Sequence, residues 1–292
     1  MISDKNYHTP VLLQEVLEVL QPRAGEQIID ATAGGGGYSE MLLKAGAKVL
    51  AIDQDPDAIR HLKEKFDGKY DMVLAQDNFS NIKSIAVEHK FFNIKGIVFD
   101  LGTSSHQIKE SGRGFSFSKD EDLDMRMSLN NELTAKEIVN KWSEEELTRI
   151  FLKYGEEHFA KQIAKEIVMQ RKIEKIDTTR ELAQIIEKIV PRVSKIHPAT
   201  RVFQALRIVV NDEMKVLASA LSDSFEILSK GGKIVVVSFH SLEDRIVKRY
   251  FEEIEREGKA HLIVKRPIMA QALELSVNPR ARSAKLRAIE KI

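Results

Sequence analysis

Residues 26–38 read Glu-Gln-Ile-Ile-Asp-Ala-Thr-Ala-Gly-Gly-Gly-Gly-Tyr: a short apolar run closed by an acid, Asp30, then four consecutive glycines, Gly34, Gly35, Gly36 and Gly37. The next residues, Tyr38-Ser39-Glu40-Met41-Leu42-Leu43-Lys44, suit an amphipathic helix, so the unit is strand, glycine loop, helix N-terminus. Such a unit presents backbone N–H groups to a nucleotide-like ligand. Glycine serves there because a side chain would hold the ligand off the backbone, although a simple tight turn would use glycine too. The following apolar run, Lys48-Val49-Leu50-Ala51-Ile52, ends at Asp53. An acid about 20 residues past the loop, at a second strand tip, is placed to accept hydrogen bonds from a ribose diol. The two features together predict a Rossmann-like α/β sheet with a cofactor at its carboxyl edge.

Asp30 bears on which cofactor. A dinucleotide seats its pyrophosphate on the helix N-terminus, and an acid ahead of the glycines would repel it. Asp30 suits a cationic ligand instead, which favours S-adenosylmethionine, with its sulfonium and amino groups, over NAD. The alternative for Asp30 is a turn residue whose carboxylate bonds nearby N–H groups. An NAD-linked oxidoreductase is the competing function, since fold does not fix chemistry.

The chain has 292 residues, 43% of them hydrophobic, enough for one large or two moderate domains. Its formal net charge is +1, so any nucleic-acid surface must be a local patch. The sequence has neither a run of 18 apolar residues nor an N-terminal signal pattern, which predicts a cytoplasmic protein with no membrane partner. Cysteine is absent. That excludes disulfides, thiolate metal sites and cysteine nucleophiles, including the thiolate that attacks cytosine in carbon-5 methylation. No His-Glu-x-x-His stretch or histidine cluster is present, and no metal is expected.

Tyr7-His8-Thr9-Pro10 precedes an apolar-periodic segment, Val11 to Leu20, with Pro10 suiting a helix start. His8 is a secondary site candidate beside a capping role. Asp55-Pro56 opens a helix over Asp57 to Phe66. A third strand, Asp71 to Gln76, leads to Asp77-Asn78-Phe79-Ser80, where Phe79 either packs on an adenine or fills the core. Asp77 and Asn78 either read the ring's edge or close an Asx turn. Gly96 to Phe99 is a fourth strand, running into Asp100-Leu101-Gly102-Thr103-Ser104-Ser105-His106-Gln107, where amino-group methyltransferases of nucleic acids carry their reactive loop.

The next strand-like run, Lys233 to His240, comes after several helices whose starts are marked by Thr134-x-x-Glu137, Ser143-x-x-Glu146 and Thr178-x-x-Glu181, with Gly155 ending the second. One parallel crossover needs a single helix. An all-helical insert over residues 106–205 is therefore expected, splitting a methyltransferase domain into 1–105 and 206–292. From Phe203 to Leu228 one apolar stripe predicts a long helix or two joined by a bend. Its other face carries Arg201, Arg207 and Asn211, read as a solvated face or, at the arginines, an RNA contact. Ser241-Leu242-Glu243-Asp244 caps a helix from Arg245 to Arg256. Pro279 to Arg287 holds Arg280, Arg282, Lys285 and Arg287 and no acid, a cluster suited to phosphate. The alternation at Ala284, Leu286 and Ala288 predicts an antiparallel edge strand.

Eight separated blocks carry a wider resemblance: His8–Leu13, Asp30–Tyr38, Asp100–Ser105, Arg113–Phe117, Leu123–Met127, His197–Arg207, Ser238–Arg245 and Asn278–Ser283. In these the chain resembles the bacterial S-adenosylmethionine-dependent methyltransferases that act on cytidine N4 of 16S ribosomal RNA. The resemblance implies a class I methyltransferase sheet and a methyl donor on Gly36, Gly37, Tyr38, Asp53, Phe79, Asp100 and Gln107. It also implies the small ribosomal subunit as partner. Tyr38 stands where the family usually has histidine, and Asp120-Glu121-Asp122 where Asp-Gly-Pro is common.

Location alone suggests the catalytic set: Asp100 with Ser104 and Ser105, then Ser238 and His240. Phe115 or Phe117 would stack on an extruded base, with the Ser111 to Met127 loop ordering when RNA arrives. A non-catalytic RNA-binding assembly factor is the third reading, and a homodimer is left open.

Overall fold

The structure, a computed structural model, describes residues 10–104, 107–108, 110–192 and 197–292. It divides into two compact units: the chain up to Ser104 together with Met214–Ile292, and the stretch between, ending at Glu213.

The first unit is built on a seven-stranded sheet. Its strands are β1 (Gln27–Asp30), β2 (Lys48–Asp53), β3 (Met72–Gln76), β4 (Ile94–Asp100), β5 (Leu228–Ser238), β6 (Ala260–Leu262) and β7 (Lys285–Lys291), in the order β3-β2-β1-β4-β5-β7-β6. The first five lie parallel, and β7 runs antiparallel between β5 and β6. Parallel strands covered on both faces read as continuous apolar runs, as Ile234 to Val237 does. One face packs on α1 (Leu13–Leu20), α2 (Gly37–Lys44) and α3 (Pro56–Phe66). The other packs on α4 (Ile82–Glu88), α10 (Glu213–Ile227) and α11 (Ser241–Arg256). Registers Asp53↔Gln76, Asp30↔Val98 and Asp100↔Val237 bring Asp30, Asp53 and Asp100 to one carboxyl edge. There an open parallel sheet receives its ligand.

The second unit holds α5 (Ala135–Lys141), α6 (Glu144–Gly155), α7 (Ala160–Gln170), α8 (Thr179–Glu187) and α9 (Thr200–Val210) around one apolar core. Ser143 and Thr178 form reciprocal capping boxes with Glu146 and Glu181, while Thr134 caps only one way. The unit runs to Glu213 and not to 205, because Val202, Phe203, Leu206 and Val210 of α9 belong to its core.

Of the two forms expected for the apolar stripe, the structure has two helices, α9 and α10, joined at Asp212, which has a left-handed φ of 48°. Several other local expectations need correction. Gly155 is the last helical residue of α6; the left-handed cap is Glu156. A Cβ at Gly155 would lie 2.6 Å from the Arg201 carbonyl oxygen, so close helix packing accounts for this glycine. The helix after β5 begins at Ser241, with His240 as its N-cap. β7 is interior to the sheet, and the edge is the three-residue β6, too short for its alternation to be legible. Among the described residues no helix is long and apolar enough to cross a membrane.

Candidate active site

The glycine loop is fixed from two sides. Gly34 donates its N–H to Asp53 Oδ2 at 2.8 Å, and Asp55 donates to Asp53 Oδ1 at 2.8 Å. Lys65 of α3 reaches the Gly35 carbonyl at 3.2 Å and pairs with Glu40 at 2.9 Å. A Cβ at Gly36 would sit 2.6 Å from Leu62 and 2.7 Å from Phe66, and one at Gly37 would collide with Pro10. Those two glycines are thus required by packing within the protein. Gly34 differs: its φ is +49° and an added Cβ would meet only the Thr32 carbonyl, at 3.9 Å, so its space is open to a ligand.

Asp30 is fully buried, accepting from Ser39 Oγ at 2.6 Å and from the Thr32 N–H at 3.3 Å. Burial pushes its carboxyl up from 3.8 to about 6 against those two bonds, and the charges of Asp100 and Asp53 push the same way. Asp30 therefore meets its partners within the protein, as the turn-residue alternative has it, and contributes charge and not contact at the strand edge. Tyr38 is buried too, and its hydroxyl donates to the Val11 carbonyl.

Asp53 is half-buried at the tip of β2, with its carboxylate oxygens oriented by the Gly34 and Asp55 N–H groups. It fits a ribose diol. Phe79 is half-buried, edge-on to Phe99 with ring centroids 5.6 Å apart. Asp77 accepts from the Asn78 N–H at 2.6 Å and Asn78 from the Ser80 N–H at 2.9 Å, so both carboxyl-edge side chains close local turns.

At the tip of β4, Asp100 donates its backbone N–H to Thr32 Oγ1 at 2.6 Å. Thr32 was not legible as a site residue; its role depends on the β1–β4 register. Burial draws the Arg280 guanidinium below its ordinary range, and the negative charge of Asp100 works against that. Arg280 therefore belongs with the Asp100 edge as much as with the basic tail. Ser238 is buried, its Oγ 3.3 Å from the Lys285 carbonyl it donates to. His240 caps α11: its Nδ1 accepts the Glu243 N–H at 3.3 Å, while Glu243 accepts from the Phe239 and His240 N–H groups at 2.8 and 3.2 Å. Both candidates thus have structural tasks. Ser104 is half-buried in the loop after β4; Ser105 and His8 lie outside the described residues.

In the helical unit Gln107 is buried, its carbonyl accepting from Ser111 Oγ at 2.6 Å. Phe117 stacks on His197 with centroids 4.2 Å apart and meets Phe203 edge-on at 5.2 Å, while Phe115 lies under Arg113 at 5.6 Å. Arg113 donates to the carbonyls of Arg126 and Met127, both at 3.1 Å, which ties the two ends of the 111–127 loop together. Arg201 donates to the Glu156 carbonyl at 3.1 Å. Arg207 forms a two-pronged pair with Glu213, at 2.8 and 3.0 Å, and Asn211 is buried, so this is not a solvated face.

In the tail, Asp244 takes Arg287 at 2.6 Å and Lys285 at 3.0 Å, partly neutralising the cluster; Arg282 is exposed.

A sheet of this strand order, with its seventh strand antiparallel between the fifth and sixth, is the class I methyltransferase arrangement. The chain belongs to the MraW methylase family, which it matches over residues 5–292. It is 44% identical over 286 residues to a protein of Deinococcus deserti, covering 98% of this chain and 93% of that one, and 44% identical over 310 residues to one of Thermomicrobium roseum, covering 98% and 94%. Both relatives are named ribosomal RNA small subunit methyltransferase H. A crystal structure of a putative rRNA methylase from Clostridium thermocellum is similar over 97% of this chain and 98% of its own, at 16% identity and a TM-score of 0.46, which adds nothing to the strand order.

Proposed function

We propose that the protein transfers the methyl group of S-adenosylmethionine to the exocyclic N4 amine of a cytidine in 16S rRNA of the small ribosomal subunit. The observation that carries the reading is the meeting of Asp30, Asp53 and Asp100 at one sheet edge beside an open glycine loop. Membership of a methylase family and the name its relatives carry support the chemistry and the RNA.

When bound, the donor supplies an electrophilic methyl carbon on a positively charged sulfur. Asp53 and the Gly34 backbone would hold its ribose, Phe79 would flank its base, and Asp30 would favour its positive charge from beneath the loop. The cytidine amine is a poor nucleophile because its lone pair is delocalised into the ring. The protein must therefore orient that amine, which supplies most of the rate, and accept its proton. Asp100, whose backbone is fixed by Thr32, and the Ser104-Ser105 loop take that task. The helical unit, inserted in the discontinuous methyltransferase domain, serves as the substrate-recognition part, and its Phe115 and Phe117 would stack on the extruded base. Of the cations considered for RNA, the exposed Arg282 is the one best suited to a phosphate, while Arg207, Lys285 and Arg287 already have carboxylate partners. Nothing in this chemistry requires a homodimer.

The test is incubation with methyl-labelled S-adenosylmethionine and small ribosomal subunits, followed by digestion to nucleosides. Label in N4-methylcytidine supports the proposal. Salt-sensitive RNA binding without label transfer would indicate an assembly factor, and saturable NADH binding an oxidoreductase.

A further inference from the structure

The acceptor for the Leu12 backbone N–H lies 262 positions away: Glu274 Oε1, at 2.8 Å. Leu12 is the N-cap of α1, fully buried and in the left-handed conformation with φ 56° and ψ 35°, and no side chain of its own segment caps the helix. A bulky residue in that region is strained, so what holds it there matters. Glu274, on α12 (Ala272–Val277), supplies a remote carboxylate to a helix end where an orphan donor and the helix dipole both favour one.

The same three residues, Pro10 to Leu12, form a strap against the glycine loop. The ring of Pro10 lies where a Cβ of Gly37 would be, and the Val11 carbonyl accepts the Tyr38 hydroxyl. Gly37 and Tyr38 are the first two residues of α2, and the turn before them includes Gly34, bound to Asp53. A continuous run of contacts thus joins Glu274 to the loop: Glu274 to Leu12, Val11 to Tyr38, Pro10 to Gly37.

We infer that Glu274 is a positioning residue for the methyl-donor loop: by capping α1 from the far end of the chain it holds the Pro10–Leu12 strap, and the strap holds Gly37 and Tyr38. The inference rests on the reading of that loop as the donor site. Glu274 touches neither donor nor RNA in this scheme. Its effect is on the fraction of molecules whose loop is ready to bind, which scales the apparent affinity directly.

The experiment uses the full chain. Calorimetric titration with S-adenosylmethionine, steady-state methylation of small subunits and amide hydrogen exchange are compared for wild type, Glu274→Ala and Glu274→Gln. Loss of one capping bond should weaken donor binding and raise its KM about tenfold in E274A. Its kcat at saturating donor should stay within about twofold, because the reacting groups are untouched. E274Q keeps a carbonyl acceptor for Leu12 and should restore both constants. Exchange should quicken in E274A at residues 11–14 and 36–41 and stay unchanged in β4 and β5. Should E274A not fold, Glu274→Asp, which withdraws the acceptor by one methylene, takes its place. Wild-type affinity in E274A, or equal losses in E274A and E274Q, overturns the inference. A wild type that takes up no S-adenosylmethionine defeats the donor-site reading itself.

Discussion

The backbone N–H of Gly34 donates to the Asp53 carboxylate at 2.8 Å, so the loop after β1 is tied to the tip of β2. The same carboxylate accepts from Asp55, at the N-cap of α3, and α3 returns Leu62, Lys65 and Phe66 to the loop. Loop, strand tip and helix form one preorganised piece. A site of this kind binds without first ordering its own backbone.

Asp30 should oppose stability and support binding. Its folded pKa, about 6, lies above the unfolded 3.8, so its contribution to stability is full below pH 3.8 and is lost as pH rises through about 6. We expect Asp30→Asn, which keeps an acceptor for Ser39, to stabilise the protein at pH 7.5 by up to about 3 kcal/mol, at about 1.4 kcal/mol per pKa unit. The gain should shrink toward pH 4 in denaturant titrations. S-adenosylmethionine should bind more weakly to this variant, and its binding to wild type near pH 6 should release a proton, read by calorimetry in buffers of different ionisation enthalpy. No proton release would show that the donor's charge does not act on Asp30.

The glycines should separate by function. Gly36→Ala forces a Cβ onto Leu62 and Phe66 at a φ of +76°, and overpacking together with left-handed strain should cost about 2–4 kcal/mol. Gly34→Ala meets open space at φ +49° and should cost only about 1 kcal/mol, while S-adenosylmethionine affinity falls. Thermal unfolding and donor titration on both variants check the pattern.

The tail cations should also divide. Arg282→Ala removes an exposed charge and should weaken RNA binding about equally across sequences, lowering the salt slope by about 1. Arg287→Ala strips the buried Asp244 of one of its two cationic partners, at 2.6 Å, and should cost about 1–3 kcal/mol of stability. Burial acts to raise the Asp244 carboxyl, but Arg287 and Lys285 outweigh it and hold it below its ordinary value of 3.8. The stabilisation from this clamp is therefore present above pH 3.8 and lost as pH falls through the lower folded value. Equal stability losses in both arginine variants would contradict the division.

Asn211 ties the 111–127 loop to α9: its Oδ1 accepts the Met127 N–H at 2.8 Å, and its Nδ2 donates to the carbonyls of Met125 and Arg207, both at 2.9 Å. Asn211→Ala should cost about 2–4 kcal/mol, since it leaves buried polar groups unmet. Chemical denaturation measures the loss, and limited proteolysis should then cut within 111–127.

The strand tips were legible because three of the five parallel strands are apolar runs closed by an acid, at Asp30, Asp53 and Asp100. What a sequence window omits is the partner from elsewhere. Residues 279–287 contain no acid, yet Asp244, 41 and 43 positions away, neutralises two of their cations. Ser238 and His240 looked free at a strand end until the β5–β7 register and the α11 cap engaged them. Gly36 and Gly37 read as room for a ligand, but they make room for α3 and Pro10. Leu286 and Ala288 announced a half-buried strand, and alternation cannot say whether a further strand covers its edge.

The most direct measurement of the central claim is a crystal structure of the protein with S-adenosylhomocysteine. We expect the ribose hydroxyls within hydrogen-bonding distance of the Asp53 carboxylate, the adenine beside Phe79 and the sulfur near the tips of β1 and β4. A nucleoside lodged away from Gly34 and Asp53 would contradict the account.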